Sequence, residues 1–307
     1  MRVLKKQDAK YRKKCGTMDN IVNWVLDKDL FSDYTDNLVA AITSSGMKVH
    51  IFDEYKETSF GSFMYKKFKS QPVILHGSLQ QGNFINKSNF YPGVYLNLDR
   101  YECFKYYGYF GEDLLNSNYF MMGLNDLHRN YRKIFRTFEM DKIFIRPSNG
   151  YKSFPGQILP FSNFEFELDV LKKSYGGLDI DQLVVVSPYK DIIDEWRFIV
   201  VNDEVITGSL YMNEDSRKTN TPIFDKPCGL FEPAAMFAKY LAKLYSPDKA
   251  YTIDVCSDED GFHLLELNSF CCANMYGADL DKVVKAVNHL VISDYKDVLC
   301  EPDYSDH

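Results

Sequence analysis

The feature that most limits what this chain can fold into is the run YTIDVCSDEDGFHLLELNS at residues 251–269. Apolar and polar residues alternate on both sides of an acidic, glycine-bearing break, the pattern of two antiparallel strands joined by a tight turn. A three-residue loop of Glu259, Asp260 and Gly261 predicts Asp254 opposite Glu266, with both side chains on one face. The period of two adds Asn268 to that face and sends Ile253, Val255, Leu265 and Leu267 to the other, toward a core. Facing carboxylates repel unless one is protonated or a cation lies between them, and hard oxygen donors suit Mg2+. The same spacing also describes a solvated, polar hairpin face.

A second hairpin is expected from residues 195–211, turning at Asn202, Asp203 and Glu204. Its register sets Arg197 across from Ser209 and Glu195 across from Tyr211, while Trp196, Phe198 and Val200 face the core. An arginine on a rigid strand is a fork for phosphate or carboxylate, or simply half of a cross-strand ion pair. Arg146 closes a strand over 142–146, and Lys152 lies in the Gly/Pro-bearing loop that follows. The apolar run 183–186 reads as a buried strand that stops at Ser187 and Pro188.

The first half alternates helix and strand. A helix is expected over 36–45, strands over 48–52 and 73–76, and an amphipathic helix over 123–138. The aromatic stretch 91–120 gives no clear period. Helices are also expected over 164–174, 233–245 and 279–293. His76 and Cys271 read as core or loop residues.

Composition excludes several classes. The chain has 307 residues and a net charge of −7, yet residues 2–14 carry seven basic side chains against Asp8. An acidic body repels polyphosphate, so duplex nucleic acid is disfavoured as a partner and the basic start reads as a solvated tail. Seven cysteines without a CxxC pair fit a reducing, cytoplasmic setting. No apolar run is long enough to cross a bilayer, and the start lacks the apolar stretch of a secretory signal. A G-x-x-x-x-G-K-[ST] loop, a G-x-G-x-x-G fingerprint and an HExxH pair are also missing.

The order of the remaining motifs is informative. RPSNGYK (146–152), VVVSPYKDIIDEWRFIVVNDEVITGS (184–209) and YTIDVCSDEDGFHLLELNS (251–269) resemble the ATP-grasp superfamily, with EWR and its hairpin most like the clade named for one arginine and two lysines. The likeness covers about residues 140–295. It implies an α/β ATP-grasp fold, two α+β lobes clasping a nucleotide, after a small α/β N-terminal domain. The expected boundaries are 1–130 for that domain and 131–307 for the grasp, with a central lobe at 131–188 and a C-terminal lobe at 189–307.

Carried over residue by residue, the resemblance implies that Arg146 and Lys152 contact the triphosphate of ATP. The backbone of Val184, Val185, Val186 and Ser187 would form the adenine hinge, with Lys190 or Asp191 reaching the nucleotide just beyond. Arg197 would grip the terminal phosphate, Glu195 would orient that arginine or reach a lysine, and Asp254, Glu266 and Asn268 would ligate Mg2+. Catalysis would rest on Arg197, Lys152 and Glu195, with the loop of Lys152 as a lid. The implied reaction joins a carboxylate to an amine through an acyl phosphate, with a peptide or protein as acceptor and Arg217 and Lys218 as neutralisers of an acidic substrate. A kinase on the same fold and a nucleotide-binding protein without turnover are the alternatives.

Overall fold

The computed structural model describes residues 21–300 except 29, 32, 69, 70, 176, 177 and 180. The basic start and Cys15 lie outside the described residues. The chain divides into two compact units, each described by itself.

The first unit comprises the chain up to Leu96, Phe270–Met275 and the chain from Asp279 on. Its elements are β1 (Asn23–Asp27), α1 (Thr35–Ser44), β2 (Lys48–Phe52), α2 (Phe60–Lys67), β3 (Pro72–His76), α3 (Leu79–Asn86) and β4 (Tyr91–Gly93). The strands form a parallel sheet in the order β2-β1-β3-β4. Crossover helices cover a parallel sheet on both faces, which is why Val73, Ile74 and Leu75 form a continuous buried run. The capping box of Ser78 and Gln81 starts α3 directly after β3.

At the end of β3, His76 is fully buried. Its Nδ1 faces the Phe270 carbonyl at 3.0 Å, which can only accept, so that nitrogen carries the proton and Nε2 accepts from the Tyr34 hydroxyl at 2.7 Å. Burial pushes its pKa down to about 3. It is a core histidine, as the sequence suggested.

The second unit spans Asn97–Ser269 and Tyr276–Ala278. It begins with α4 (Cys103–Phe110), β5 (Phe120–Gly123), α5 (Leu124–Phe138), β6 (Lys142–Pro147), β7 (Gln157–Pro160), α6 (Phe164–Ser174) and β8 (Leu183–Pro188). It continues with β9 (Asp194–Val201), β10 (Glu204–Met212), α7 (Glu214–Thr219), β11 (Pro227–Cys228), α8 (Pro233–Leu244), β12 (Ala250–Ser257) and β13 (Phe262–Ser269). The last helix, α9 (Leu280–Cys300), returns to the first unit.

Two antiparallel sheets organise this unit: β5-β8-β6-β7, and β11-β10-β9-β12-β13. Val184 and Val186 pack with Leu124, Ile143, Ile145 and Leu168 on the helical side of the first sheet. Val185, pointing the other way, joins Phe198, Val200, Ile253, Val255 and Leu267 of the second sheet. That two-sided burial explains the unbroken VVV run. A strand that the sequence did not reveal, β5, pairs with β8, and the unpatterned stretch 91–120 holds α4.

Two boundaries differ from expectation. The compact unit ends near Leu96 instead of residue 130, because α5 packs against β5 and β8 of the second unit. Helix α9 folds with the first unit, where Asn288 accepts a hydrogen bond from the buried Trp24 indole at 2.8 Å.

Candidate nucleotide and metal site

The second unit brings the predicted polar residues onto facing surfaces of its two sheets. Ladder registers place Ser209, Arg197, Asp254 and Glu266 in one row across β10, β9, β12 and β13. Directly paired residues project to the same face, so this is a transverse stripe of hydroxyl, cation and two acids. Thr252 and Asn268 pair in an adjacent row. Leu267, Ile253 and Phe198 alternate with the polar residues and bury the opposite face.

The pairing of Asp254 with Glu266 follows the sequence, but by a different route. Beyond Ser257–Phe262 the loop holds one residue more than expected, and a bulge between Asp254 and Val255 restores the register. Leu264, opposite Val255, therefore takes the core position expected for Leu265, which is half-buried. In the other hairpin, Asn202 and Asp203 form a two-residue turn with φ of 50° and 64°. A bulge at Ile206 then sets Arg197 opposite Ser209, and a second at Tyr211 puts Met212, instead of Tyr211, opposite Glu195.

Each acid is held by cations of the chain. Arg197 donates from Nε and Nη2 to the two oxygens of Asp254 at 2.7 and 2.6 Å, a side-on bidentate pair. Both are buried, Asp254 fully. Burial pushes the Asp254 carboxyl above the usual carboxylate range against the downward pull of Arg197. The guanidinium lies 5.6 and 5.0 Å from the rings of Tyr211 and Tyr276, which are themselves stacked at 4.5 Å. Sequence reasoning missed this aromatic clamp: Tyr211 was assigned only a pairing role, and a single tyrosine at 276 carries no periodic signal.

Glu266 lies between the two sheets of the unit. Arg146, at the end of β6, donates to its Oε2 at 3.1 Å and to the Leu265 carbonyl at 3.3 Å. Lys152 donates to Oε1 at 2.8 Å and also to the Asn268 carbonyl oxygen. The Asn268 amide completes the network, donating to Asp254 at 3.2 Å and to Glu266 at 3.1 Å. Burial alone would raise the Glu266 carboxyl, but Lys152 and then Arg146 outweigh it and hold it well below the usual carboxylate range. Lys152 has a left-handed backbone, φ 50°, uncommon for a non-glycine residue and held here in a turn closed on Asn149.

Glu195 reaches Arg197 through the Tyr211 ring and pairs directly with Arg217. It accepts from the Tyr211 hydroxyl at 2.6 Å and from Arg217, so it props the clamp over Arg197 and holds Arg217 inward. Nε and Nη2 of Arg217 are buried without a hydrogen-bond partner. Lys218 turns outward to Glu214 and Asp215 at 3.3 and 3.2 Å.

The residues expected at the hinge differ in how they are paired. Val184, Val185 and Val186 lie within ladders to β5 on one side and β6 on the other, so their backbone groups are committed to the sheet. Ser187 pairs with Phe144 of β6 but lies beyond the last β5 partner, Phe120, and its hydroxyl donates to Asn116 at 2.9 Å. Beyond the β5 ladder the chain continues to Lys190, half-buried, and Asp191, exposed.

The oxygens of Asp254, Glu266 and Asn268 converge as a hard donor set that fits Mg2+. The ammonium of Lys152, bridging Glu266 and Asn268, shows that two of these oxygens can share one cation. Among the described residues no group of three His, Cys, Asp or Glu gathers for a metal, so the amide of Asn268 is needed to complete the set. Buried hydroxyls of Ser209 and Thr252, without hydrogen-bond partners, line the same face.

Comparison with solved structures supports the architecture. D-alanine–D-alanine ligase from Bacillus anthracis, complexed with ATP, superposes with a TM-score of 0.62 at 11% identity, covering 92% of this chain and 99% of that one. D-cycloserine synthetase DcsG gives 0.61 at 12% identity, covering 88% and 99%. The ATP-grasp ligase PsnB, complexed with minimal precursor, Mg and ADP, gives 0.54 at 13% identity, covering 91% and 99%. At such identities the likeness shows the fold alone. No curated protein sequence matches the chain. The model of the ATP-grasp domain, R2K clade family 2, matches residues 127–286, more than half of the sequence and all of the polar stripe, and the chain belongs to that family.

Proposed function

We propose that this chain is an ATP- and Mg2+-dependent carboxylate–amine ligase that acts through an acyl phosphate on a peptide or protein acceptor. The observation that supports this most is the convergence of Arg146, Lys152 and Arg197 on Asp254, Glu266 and Asn268 between two sheets. In this reading Arg146 and Lys152 take the triphosphate and Arg197 the terminal phosphate. Asp254, Glu266 and Asn268 hold the metal, which when bound neutralises phosphate oxygens. Ser187, Lys190 and Asp191 meet the base and ribose.

The chemistry then needs position and charge more than a side-chain nucleophile. A substrate carboxylate oxygen attacks the γ-phosphorus and ADP leaves. The amine attacks the acyl carbon, phosphate leaves, and the amine nitrogen loses a proton. Arg197 is fixed by Asp254 and the two tyrosines, so its positive charge needs no reorganisation as negative charge develops beside it. Arg217, whose Nε and Nη2 edge is unpartnered, would receive an acidic group of the substrate. The loop of Lys152 would exclude water from the acyl phosphate. Cysteines 103, 228 and 256 are free, which suits work in the reducing cytoplasm; no helix among the described residues is long and apolar enough to cross a membrane.

The test is incubation with ATP, Mg2+ and a pool of amino acids and peptides, followed by mass spectrometry. Ligation yields products lighter than their summed reactants by one water, with ADP and phosphate released. A phosphorylated product without joining would establish the kinase alternative, and nucleotide binding without turnover would establish the non-catalytic one.

A further inference from the structure

We propose that Lys152 is a resident cation that holds the metal-binding oxygens closed until a nucleotide draws it away, so that metal and nucleotide enter as a linked pair. This rests on the ATP-grasp reading of the site and adds a regulation of it. All the oxygens in question accept from the chain's own donors: both of Asp254 from Arg197, Glu266 Oε2 from Arg146, and Glu266 Oε1 and the Asn268 carbonyl oxygen from Lys152. A divalent ion needs the lone pairs of Glu266 and Asn268 that the ammonium takes. Two positive ions a few ångströms apart in a half-buried site repel too strongly to share them.

Of the three cations, Lys152 is the one that can leave. The Arg197 side chain is 9% exposed and clamped between Asp254 and two stacked tyrosines. Arg146 is 11% exposed and planted on β6. Lys152 is 40% exposed, on a loop, at the end of a flexible four-carbon stem. A triphosphate offers its ammonium a denser negative charge than Glu266 does, and a move of the side chain alone uncovers both oxygens. The linkage is reciprocal: nucleotide tightens metal binding by the factor that metal tightens nucleotide binding.

The experiment measures protein-bound Mn2+ by water-proton relaxation, with and without ADP. We compare the wild type, Lys152→Met, Lys152→Ala and, as a charge control on the exposed side of α6, Lys173→Met. Far-ultraviolet circular dichroism confirms folding, and the two Lys152 variants guard against one failing to fold. The wild type should bind Mn2+ at least about tenfold more tightly with ADP than without. Either Lys152 variant should bind Mn2+ alone at least about tenfold more tightly than the wild type, with little further gain from ADP, and Lys173→Met should match the wild type. Tight Mn2+ binding by the wild type alone, or no gain in the Lys152 variants while ADP still recruits the ion to the wild type, overturns the resident-cation role and leaves the ligase reading standing. No Mn2+ binding by any protein under either condition overturns both.

Discussion

The pair between Arg197 and Asp254 lends itself to a double-mutant cycle. The two side chains are 9% and 1% exposed and share two short hydrogen bonds, so removing either leaves the other charged in a place that water cannot reach. Breaking such a pair from one side costs about 3–5 kcal/mol. Arg197→Met should fall toward the low end of that range, because the stranded Asp254 is already pushed toward protonation by burial and keeps its bond from Asn268. Asp254→Leu should cost more: the guanidinium cannot shed its proton, and the rings of Tyr211 and Tyr276 return only about 0.5–2 kcal/mol of cation–π attraction. In the double variant no charge is stranded, and its loss should be smaller than the sum of the singles by at least about 2 kcal/mol. Urea unfolding followed by tryptophan fluorescence and circular dichroism measures each corner. The same four proteins, assayed for ADP binding with Mg2+, separate structure from function, since the double variant should regain stability without regaining binding. Single effects that add within about 0.5 kcal/mol would refute the idea of a mutually neutralising buried pair. A double variant that binds ADP and Mg2+ like the wild type would refute the role of this pair in the site.

Glu266→Gln should fold yet lose ATP-dependent turnover, and its stability deficit relative to the wild type should shrink as pH falls below about 4.5. There the unfolded wild-type carboxyl takes up a proton while the folded one, held low by Lys152 and Arg146, resists it; urea titrations across pH would show a constant deficit if that coupling were absent. His76, with a folded pKa of about 3 against 6.5 for the unfolded group, should weaken its unit as pH falls through the interval between them, by up to about 1.4 kcal/mol per pH unit. His76→Gln should flatten that slope, and an unchanged slope would contradict the neutral, buried imidazole. Gly208→Ala should destabilise by about 1–3 kcal/mol, because a Cβ there would come within 2.2 Å of the Phe198 ring; thermal melting at or above the wild-type temperature would contradict this packing.

The polar stripe was legible because period-two alternation fixes which face each residue of β12 and β13 takes, whatever the details of the turn. Asp254 and Glu266 met in register although the loop was one residue longer than expected, since the bulge beside Val255 offset it. That bulge could not be read, because Leu264 and Leu265 are both leucines and either suits a core position. The cross-strand partner of Glu195 was illegible for a similar reason: the bulge at Tyr211 puts Met212 opposite it, while the Tyr211 hydroxyl still reaches it. The flanks of the valine run were illegible for another reason. A valine run signals burial but not which neighbours flank the strand, and the weakly patterned β5 turned out to be one of them. Tyr276 was illegible because its place depends on the chain passing from the first unit at Met275 into the second for three residues before returning at Asp279.

The same alternation constrains how the site can change. On β9 and β12 the residues between those of the stripe are Trp196, Phe198, Ile253 and Val255, and they carry the hydrophobic core of the second unit. A slip of one residue in β12 would therefore put Asp254 among Phe198 and Leu267 while presenting Ile253 to the cations, losing packing and charge pairing together. Both hairpins confine their irregularities to positions flanking the row, at Ile206, Tyr211 and the Val255 side of β13, and the row from Ser209 to Glu266 runs through unbulged pairs. Loops and turns can thus vary in length, with bulges absorbing the difference, while the polar row stays on one face. Insertions that lengthen the turn at Asp258–Gly261 should be tolerated where insertions within Ile253–Val255 are not.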